Sequence, residues 1–279
     1  MSYGEHIWDK SASAYLRFEN KWHYYLRIAE GLVRPLQIDC DSRVLELAGG
    51  TGACTLLLSK MCVSGQVVCV ERSRAMLKLA RRSLRRTGRS DVIFVEGDVS
   101  GLPELVEEMG KFDSIVCNAG FWQFSEKDRL LAALRSLLIP RGFLAFNMPL
   151  WGGRDRDLAA RRRIMTRIMV AHGIDPKRLF GTRTKVSYEE LLGRAGFEVT
   201  RDSRYSVMML PEERKEWRRI PAFSRRWGQF GGVPPGVAAE MRRELVKSRV
   251  PLWPENKARR NMWRLIVASP VFPVKRSTK

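Results

Sequence analysis

Short apolar runs alternate regularly with amphipathic segments between residues 43 and 149. A strand that is buried on both faces is apolar along its whole length, and a helix between two such strands returns the chain to the same edge of a parallel sheet. The alternation therefore predicts a doubly wound α/β fold with a mostly parallel sheet. The five runs are RVLELA (43–48), QVVCVE (66–71), DVIFVEGD (91–98), FDSIVCN (112–118) and GFLAFNMP (142–149).

Segments on either side of these runs extend the predicted architecture. Residues 1–38 have a helical pattern with interleaved aromatic side chains. Ser187 and Glu190 have the spacing of a capping box, which predicts the start of a helix. FEVTRDSRYSVMM (197–209) and MWRLIVASP (262–270) have strand character and bring the predicted sheet to seven strands. The segment between these last two strands is rich in Arg, Trp and Pro, and we interpret it as an insertion over the ligand-binding face.

The first strand ends in a glycine-rich turn, ELAGGTGAC. Gly49, Gly50 and Gly52 allow a sharp turn and let a ligand approach the backbone without meeting a Cβ atom. In a doubly wound sheet, ligands bind at the carboxyl ends of the strands. The spacing differs from the G-x-G-x-x-G dinucleotide fingerprint, and no Gly-Lys-Ser/Thr follows as in a phosphate-binding loop. The turn alone leaves NAD, FAD, a nucleoside triphosphate and S-adenosylmethionine open.

Acidic residues end the next two strands. Glu71 follows the turn by about 20 residues, where an acid can accept hydrogen bonds from both ribose hydroxyls. Asp98 can accept from the exocyclic amine of adenine, with Val99 beside the ring. Taken singly, Glu71 also fits a helix start and Asp98 also fits a turn. Together with the glycine turn, they favour a nucleotide-like ligand.

On these residues the chain resembles the class I S-adenosylmethionine-dependent methyltransferases. The resemblance covers about residues 40–150, through LELAGGTG, VVCVERSRAML, VEGDVSGLP, FDSIVCNAGFWQF and LLIPRGFLAFNMP, with weaker similarity at LLGRAGFEV and WRLIVASP. One departure is Ala48, which stands where the family usually has its first glycine. The implied fold is Rossmann-like. The implied division is an N-terminal helical lid (1–38), an S-adenosylmethionine-binding core (39–205), a cap (206–261) and the last strand with its tail (262–279).

The resemblance implies a role for individual positions. Glu46 would lie near the methionine portion of the cofactor, and Glu71 would hold the ribose. Asp98 and Val99 would contact the adenine, while Tyr15 would belong to the lid. The full implied cofactor-binding set is Tyr15, Glu46, Ala48, Gly50, Gly52, Glu71, Arg72, Met76, Asp98, Val99, Asn118 and Ala119.

The acceptor is less constrained than the cofactor. Enzymes that methylate amino groups of nucleobases or glutamine commonly carry N/D-P-P-Y/F after the fourth strand, whereas this chain has Asn118-Ala119-Gly120-Phe121. The resemblance is therefore closer to the small-molecule branch, and it implies an O, N or C acceptor on a small molecule of anionic or aromatic character. The expected substrate-lining residues are Phe121, Trp122, Phe124, Trp217 and Trp227.

Charge keeps other partners open. The formal net charge is +20, and residues 151–279 carry 30 Lys and Arg against 13 Asp and Glu. A basic half of this kind attracts polyanions, so methylation of RNA is an alternative. A non-catalytic S-adenosylmethionine-binding scaffold is a third. The sequence leaves the oligomeric state and the methylated atom open.

Histidine and cysteine usage argues against a metal centre. The five cysteines include no C-x-x-C pair, and Cys69 and Cys117 lie within apolar runs, so we expect reduced thiols and a cytoplasmic location.

No apolar run reaches the roughly 20 residues that span a bilayer, and the chain start lacks a secretory pattern. The candidate bases are His6, His23 and His172, although a lone histidine is more often structural or exposed than catalytic.

Overall fold

The computed structural model of the chain describes residues 5–88, 92–150, 156–176, 186–223, 233–248 and 258–272. Contacts divide the chain into two compact units. The first comprises Met1–Pro149, Val186–Val207 and Asn261–Lys279, and the second comprises Leu150–Lys185 and Met208–Arg260. Residues 150–185, which the sequence led us to place in the core, group with the second unit. The functional division into lid, core and cap stays a prediction.

In the described part of the chain, seven strands form one sheet in the order β3-β2-β1-β4-β5-β7-β6. Neighbouring strands from β3 to β5 pair in parallel, and β7 pairs antiparallel with β5. This arrangement confirms the predicted doubly wound, mostly parallel sheet. The strands are β1 Arg43–Leu47, β2 Gln66–Glu71, β3 Ile93–Glu96, β4 Phe112–Cys117, β5 Leu138–Pro149, β6 Phe197–Met209 and β7 Arg259–Pro270.

The helices lie where the sequence pattern changes from strand-like to amphipathic. In chain order they are α1 Glu5–Trp22, α2 Tyr24–Val33, α3 Ala53–Met61, α4 Arg74–Arg86, α5 Leu102–Leu105, α6 Lys127–Leu137, α7 Arg156–Ala171, α8 Tyr188–Arg194, α9 Pro211–Trp217 and α10 Pro235–Lys247. The capping box predicted at the start of α8 is present. Ser187 Oγ accepts from Glu190 N at 3.1 Å, and Ser187 N donates to Glu190 Oε2 at 2.7 Å.

Both faces of the sheet are covered, which explains the uninterrupted apolar strands. Successive side chains of β1 point to opposite faces. Leu45 joins a buried cluster with side chains of α5, α6 and α8. Val44 joins another cluster with side chains of α2, α3 and α4. Each fully buried aliphatic side chain of this kind stabilises the fold by about 1.5–3 kcal/mol.

The strand order creates a switch point between β1 and β4, at the carboxyl ends of the strands. From β1 the chain builds outward through β2 and β3, and then β4 returns to pair with the other side of β1. The loops after β1 and β4 therefore leave in opposite directions and open a crevice between them. Any ligand that uses this crevice meets the carboxyl ends of β1, β2 and β4.

The second unit packs around α7 and α10. Ile168 and Met169 of α7 form a buried cluster with Val237 and Met241 of α10. None of the described helices combines the length and the apolar character that crossing a bilayer requires.

Candidate functional site

The turn after β1 is held in left-handed backbone conformations. Ala48 has φ +54°, Gly50 has φ +58° and Gly52 has φ +91°. At Gly49, an added Cβ would lie 2.2 Å from Cys69 Sγ, so no side chain fits there. At Gly50, an added Cβ would meet nothing within 4 Å, which leaves bare backbone facing open space. Because a left-handed φ is unfavourable for L-residues, Ala48 is strained at the position where the sequence resemblance leads us to expect glycine.

Glu46 lies at the end of β1 and is almost completely buried. Its Oε2 atom accepts a 2.5 Å hydrogen bond from Thr55 Oγ1 at the first turn of α3. Burial raises the pKa of Glu46 from 4.5 to about 7, and the hydrogen bonds from Thr55 and neighbouring cysteines only partly oppose this. The carboxyl group is therefore poised between its neutral and ionised forms at neutral pH.

Glu71 at the end of β2 ties the glycine turn to the start of α4. Its Oε2 accepts from Gly50 N at 3.0 Å, and its Oε1 accepts from Ser73 N at 2.8 Å. Burial raises the pKa of Glu71 above its ordinary value, against these backbone hydrogen bonds. A carboxylate has about four acceptor sites. The backbone N–H groups of Gly50, Arg72 and Ser73 use three of them, so Glu71 can still accept from a ligand.

Asp98 follows β3 and is more exposed than the two glutamates. Its Oδ1 accepts from Ser100 N at 2.9 Å, and Arg72 lies 3.5 Å from its Oδ2. Partial burial acts in the opposite direction, but these partners hold the pKa of Asp98 below its ordinary value. Asp98 is therefore ionised at neutral pH.

Helices α1 and α2 contribute an aromatic wall. Tyr15 of α1 stacks on Tyr25 of α2 with ring centroids 4.7 Å apart. Asp9 attaches α1 to the start of α4, because its Oδ1 accepts from Ser73 Oγ at 2.7 Å and from Ala75 N at 3.1 Å. Burial raises the pKa of Tyr15 well above its ordinary value, so its hydroxyl stays protonated.

These features line one crevice of about 220 Å³, built from residues of the first unit. Gly52 of the expected cofactor set does not line it. Its added Cβ would approach Leu84 and Ala80 of α4, so this glycine permits close helix packing. The expected residues that do line the crevice are Tyr15, Glu46, Ala48, Gly50, Glu71, Arg72, Met76, Asp98, Val99, Asn118 and Ala119.

The expected substrate residues are placed differently. Phe124 lines the crevice. Phe121 does not, because it is fully buried and stacks on Phe146 with centroids 4.0 Å apart. Trp122 packs against the core, 6.0 Å from the Trp263 ring. Phe121 and Trp122 thus pack their rings against the core and do not line the crevice, so the expectation that they wall the pocket needs correction.

The two tryptophans expected from the insertion lie elsewhere. Trp217 belongs to the second unit, where it stacks on Phe223 at 4.2 Å. Trp227 lies outside the described residues. Further residues line the crevice at helical or loop positions, most of which carry no sequence motif. Among them are Trp8, Tyr25, Thr51, Glu104, Gln123, Glu126 and Arg129. For Trp8 and Tyr25, the aromatic content of residues 1–38 was a signal.

Of the candidate bases, His23 and His172 do not line the crevice. His23 starts α2 in a left-handed conformation, and His172 lies 2.8 Å from Glu240 in the second unit. The side chain of His6 lies outside the described part of the chain. Within the residues described, no three His, Cys, Asp or Glu side chains are grouped so that they could bind a metal ion.

Comparison with known proteins bears on what such a crevice binds. A family model for a methyltransferase domain matches residues 44–142. A ubiquinone/menaquinone biosynthesis C-methyltransferase from Edwardsiella ictaluri is 30% identical over 181 residues, which are 58% of this chain and 71% of that protein. A malonyl-[acyl-carrier protein] O-methyltransferase from Geobacter sulfurreducens is 30% identical over 192 residues, 68% of this chain and 66% of that protein.

The chain covers a smaller share of some other relatives. It spans about half the length of two further curated proteins, 45% of one and 54% of the other. Among solved structures, one from Bacillus halodurans has a TM-score of 0.58 at 16% identity and covers 87% of this chain and 99% of its own. At that identity the likeness speaks for the fold alone.

Proposed function

Because the chain belongs to the class I S-adenosylmethionine-dependent methyltransferases, we propose that it transfers a methyl group from this cofactor to a small-molecule acceptor. The observation that carries the proposal is the meeting of three acids in one crevice. Glu46, Glu71 and Asp98 lie at or just after the carboxyl ends of three adjacent strands, and all three line the crevice beside the bare backbone at Gly50.

The crevice fits an adenosyl sulfonium on physical grounds. Gly50 offers a cradle that a Cβ would partly fill. Glu71 accepts hydrogen bonds from the ribose hydroxyls, and Asp98 accepts from the adenine amine with Val99 beside the ring. Glu46 lies near the methionine portion, where the ionised carboxylate is matched to a positive charge.

S-adenosylmethionine supplies an electrophilic methyl group when bound. The chain's own residues orient the reactants and keep water out, which is most of what an in-line methyl transfer requires. Tyr15 and Tyr25 close one side of the crevice, and Asp9 holds α1 in place over the start of α4. We assign no general base.

The charge of the crevice bears on the acceptor. The charged residues that line its described wall are five acids and two arginines, in a chain with a net charge of +20. Arg72 and Arg129 each lie next to an acid, Asp98 and Glu126 respectively. Of the two acceptor types that the sequence leaves open, this lining favours an uncharged aromatic group over an anionic one, with Phe124 as a contact. The named relatives methylate carbon in one case and oxygen in the other.

A labelling experiment tests the acceptor class. The chain is incubated with methyl-labelled S-adenosylmethionine and separated small-molecule and RNA fractions of a cell extract. Label in the small-molecule fraction supports the proposal. Label in RNA alone would overturn it in favour of the polyanion alternative that the basic charge keeps open.

A matched pair of variants tests the binding site. Glu71 and Glu96 are register partners on β2 and β3, but only Glu71 lines the crevice. Glu71→Ala is expected to weaken S-adenosylmethionine binding by about 1–3 kcal/mol, because the ribose hydroxyls lose their acceptor. Glu96→Ala is expected to leave affinity unchanged. If Glu71→Ala folds, as verified by circular dichroism, and binds S-adenosylmethionine as tightly as Glu96→Ala and the wild type do, the site lies elsewhere.

A further inference from the structure

A buried amide interrupts the apolar strand β5 close to its carboxyl end. Asn147 is completely buried, and its register partner on β7 is Leu265. Burying an amide costs free energy unless its hydrogen-bonding atoms are satisfied. An asparagine at such a position therefore needs partners, and these partners indicate its role.

Asn147 has three side-chain hydrogen-bond partners, and two of them, Asn118 and Ala119, line the crevice. Its Oδ1 accepts from Ala119 N at 2.6 Å, and its Nδ2 donates to Asn118 Oδ1 at 2.8 Å and to Tyr205 Oη at 2.7 Å. The orientation of the amide is fixed, because the Ala119 N–H can only donate and must face oxygen. Both amide hydrogens and the carbonyl oxygen are therefore in use.

The segment held by Asn147 is strained. Ala119 has φ +55°, an unfavourable conformation for alanine. Asn118 makes a second, longer contact from its Nδ2 to the carbonyl oxygen of Tyr25 at 3.4 Å. Strained backbone persists only where its surroundings hold it, and the short bond from Ala119 N to Asn147 provides that hold.

Tyr205 extends the network to α2. Its hydroxyl donates to the carbonyl oxygen of Ile28 at 2.8 Å. Its ring lies against Gly31, where an added Cβ would come within 2.2 Å of a ring carbon. A glycine inside a helix is unfavourable, and here it makes room for this ring. Asn147 thus connects the loop after β4 to the helix that carries Tyr25.

We propose that Asn147 is a positioning residue that fixes the Asn118–Ala119 segment against the methionine portion of the cofactor, with Tyr205 linking that segment to α2. The proposal rests on the proposed function, which places this segment beside the methionine portion. It predicts a ligand-dependent effect. Loss of Asn147 affects ligands that carry the amino-acid end of the cofactor and spares ligands that lack it.

The test compares two ligands by calorimetry. S-adenosylhomocysteine has the amino-acid end, and 5′-methylthioadenosine lacks it. Asn147→Ala is expected to weaken binding of S-adenosylhomocysteine about tenfold, because buried partners are left unpaired. Binding of 5′-methylthioadenosine is expected to change less than about twofold, since no adenosine contact is lost.

A control separates positioning from general destabilisation. Val116→Ala removes buried volume from β4, two residues before Asn118, without touching the network. It is expected to lower stability and to leave the affinity ratio of the two ligands unchanged. Tyr205→Phe keeps the bonds from Asn147 to Asn118 and Ala119, and is expected to shift the ratio in the same direction by a smaller factor. It also covers the case in which Asn147→Ala does not fold.

The outcomes separate the two proposals. The positioning role is overturned if Asn147→Ala weakens binding of both ligands equally. It is also overturned if neither Asn147→Ala nor Tyr205→Phe changes the affinity ratio of the two ligands. In both cases, binding of S-adenosylhomocysteine by the wild type leaves the proposed function standing. Failure of the wild-type chain to bind S-adenosylhomocysteine would overturn both.

Discussion

Glu46→Gln is expected to stabilise the ligand-free chain by about 3 kcal/mol above pH 7. Burial raises the pKa of Glu46 from 4.5 to about 7 in the folded state, and each pKa unit corresponds to about 1.4 kcal/mol. Between these two values the unfolded chain has lost the proton while the folded chain keeps it. The free energy of unfolding therefore falls as pH rises through this window and levels off above it. Glutamine is neutral at every pH and can still accept from Thr55.

Urea denaturation of both proteins across the pH range measures this effect. The stability of the variant minus that of the wild type is expected to grow by about 2.5 kcal/mol between pH 5 and pH 8. Burial also raises the pKa values of Glu19 and Glu71, but both groups titrate in both proteins and largely cancel in the difference. Parallel pH profiles would refute the argument, since they would mean that Glu46 ionises normally in the folded chain.

The raised pKa of Glu46 also predicts that cofactor binding releases a proton. A positive charge beside Glu46 favours its ionised form and lowers its pKa. Binding of S-adenosylmethionine below about pH 7 is then expected to release a proton. Calorimetry in two buffers of different ionisation enthalpy detects that release, and Glu46→Gln is expected to abolish it. Identical heats in both buffers for the wild type would contradict a cation next to this residue.

Three further changes test other parts of the site. Ala48→Gly relieves a left-handed alanine and is expected to raise the free energy of unfolding in urea by about 1 kcal/mol; a loss of stability would mean that the position is unstrained. Asp9→Ala removes the acceptor for Ser73 Oγ. It is expected to lower the free energy of unfolding by about 1–2 kcal/mol and to speed amide hydrogen exchange in α1. Unchanged exchange would mean that Asp9 does not hold α1 against the start of α4. Phe121→Ala leaves a core cavity and is expected to lower the free energy of unfolding by about 3–5 kcal/mol. Phe124→Ala is expected to alter the KM for the acceptor with little change in the thermal midpoint of unfolding. The reverse pattern would mean that Phe121 contacts the acceptor and Phe124 belongs to the core.

The positions of the strands and of the glycine turn could be predicted because their signals are local. The run QVVCVE becomes β2 at Gln66–Glu71, and the acid that ends it lines the crevice. Strand boundaries were less accurate where pairing decides them. Strand β5 begins at Leu138, ahead of the run at 142–149, because Leu138 pairs with Phe112 across an irregular register.

The aromatic side chains show where local pattern is insufficient. Phe121 and Phe124 are three residues apart with similar chemistry, yet one stacks on Phe146 in the core and the other lines the crevice. Their difference depends on what the neighbouring strand and helix leave unfilled. Asn147 carries no sequence signal for a related reason, since the role of a single polar residue in an apolar run depends on the atoms that it contacts in the folded chain.

The α/β alternation, the glycine turn and the acids at the strand ends are evident from the amino-acid sequence, because periodicity and backbone freedom act over a few residues. Three features follow only from the folded arrangement: which aromatic rings face the crevice, the rise in the pKa of Glu46 to about 7 on burial, and the hydrogen bond from Ala119 N to Asn147. Desolvation and long-range hydrogen bonding depend on what surrounds a side chain in space, and residues distant in the chain supply those surroundings.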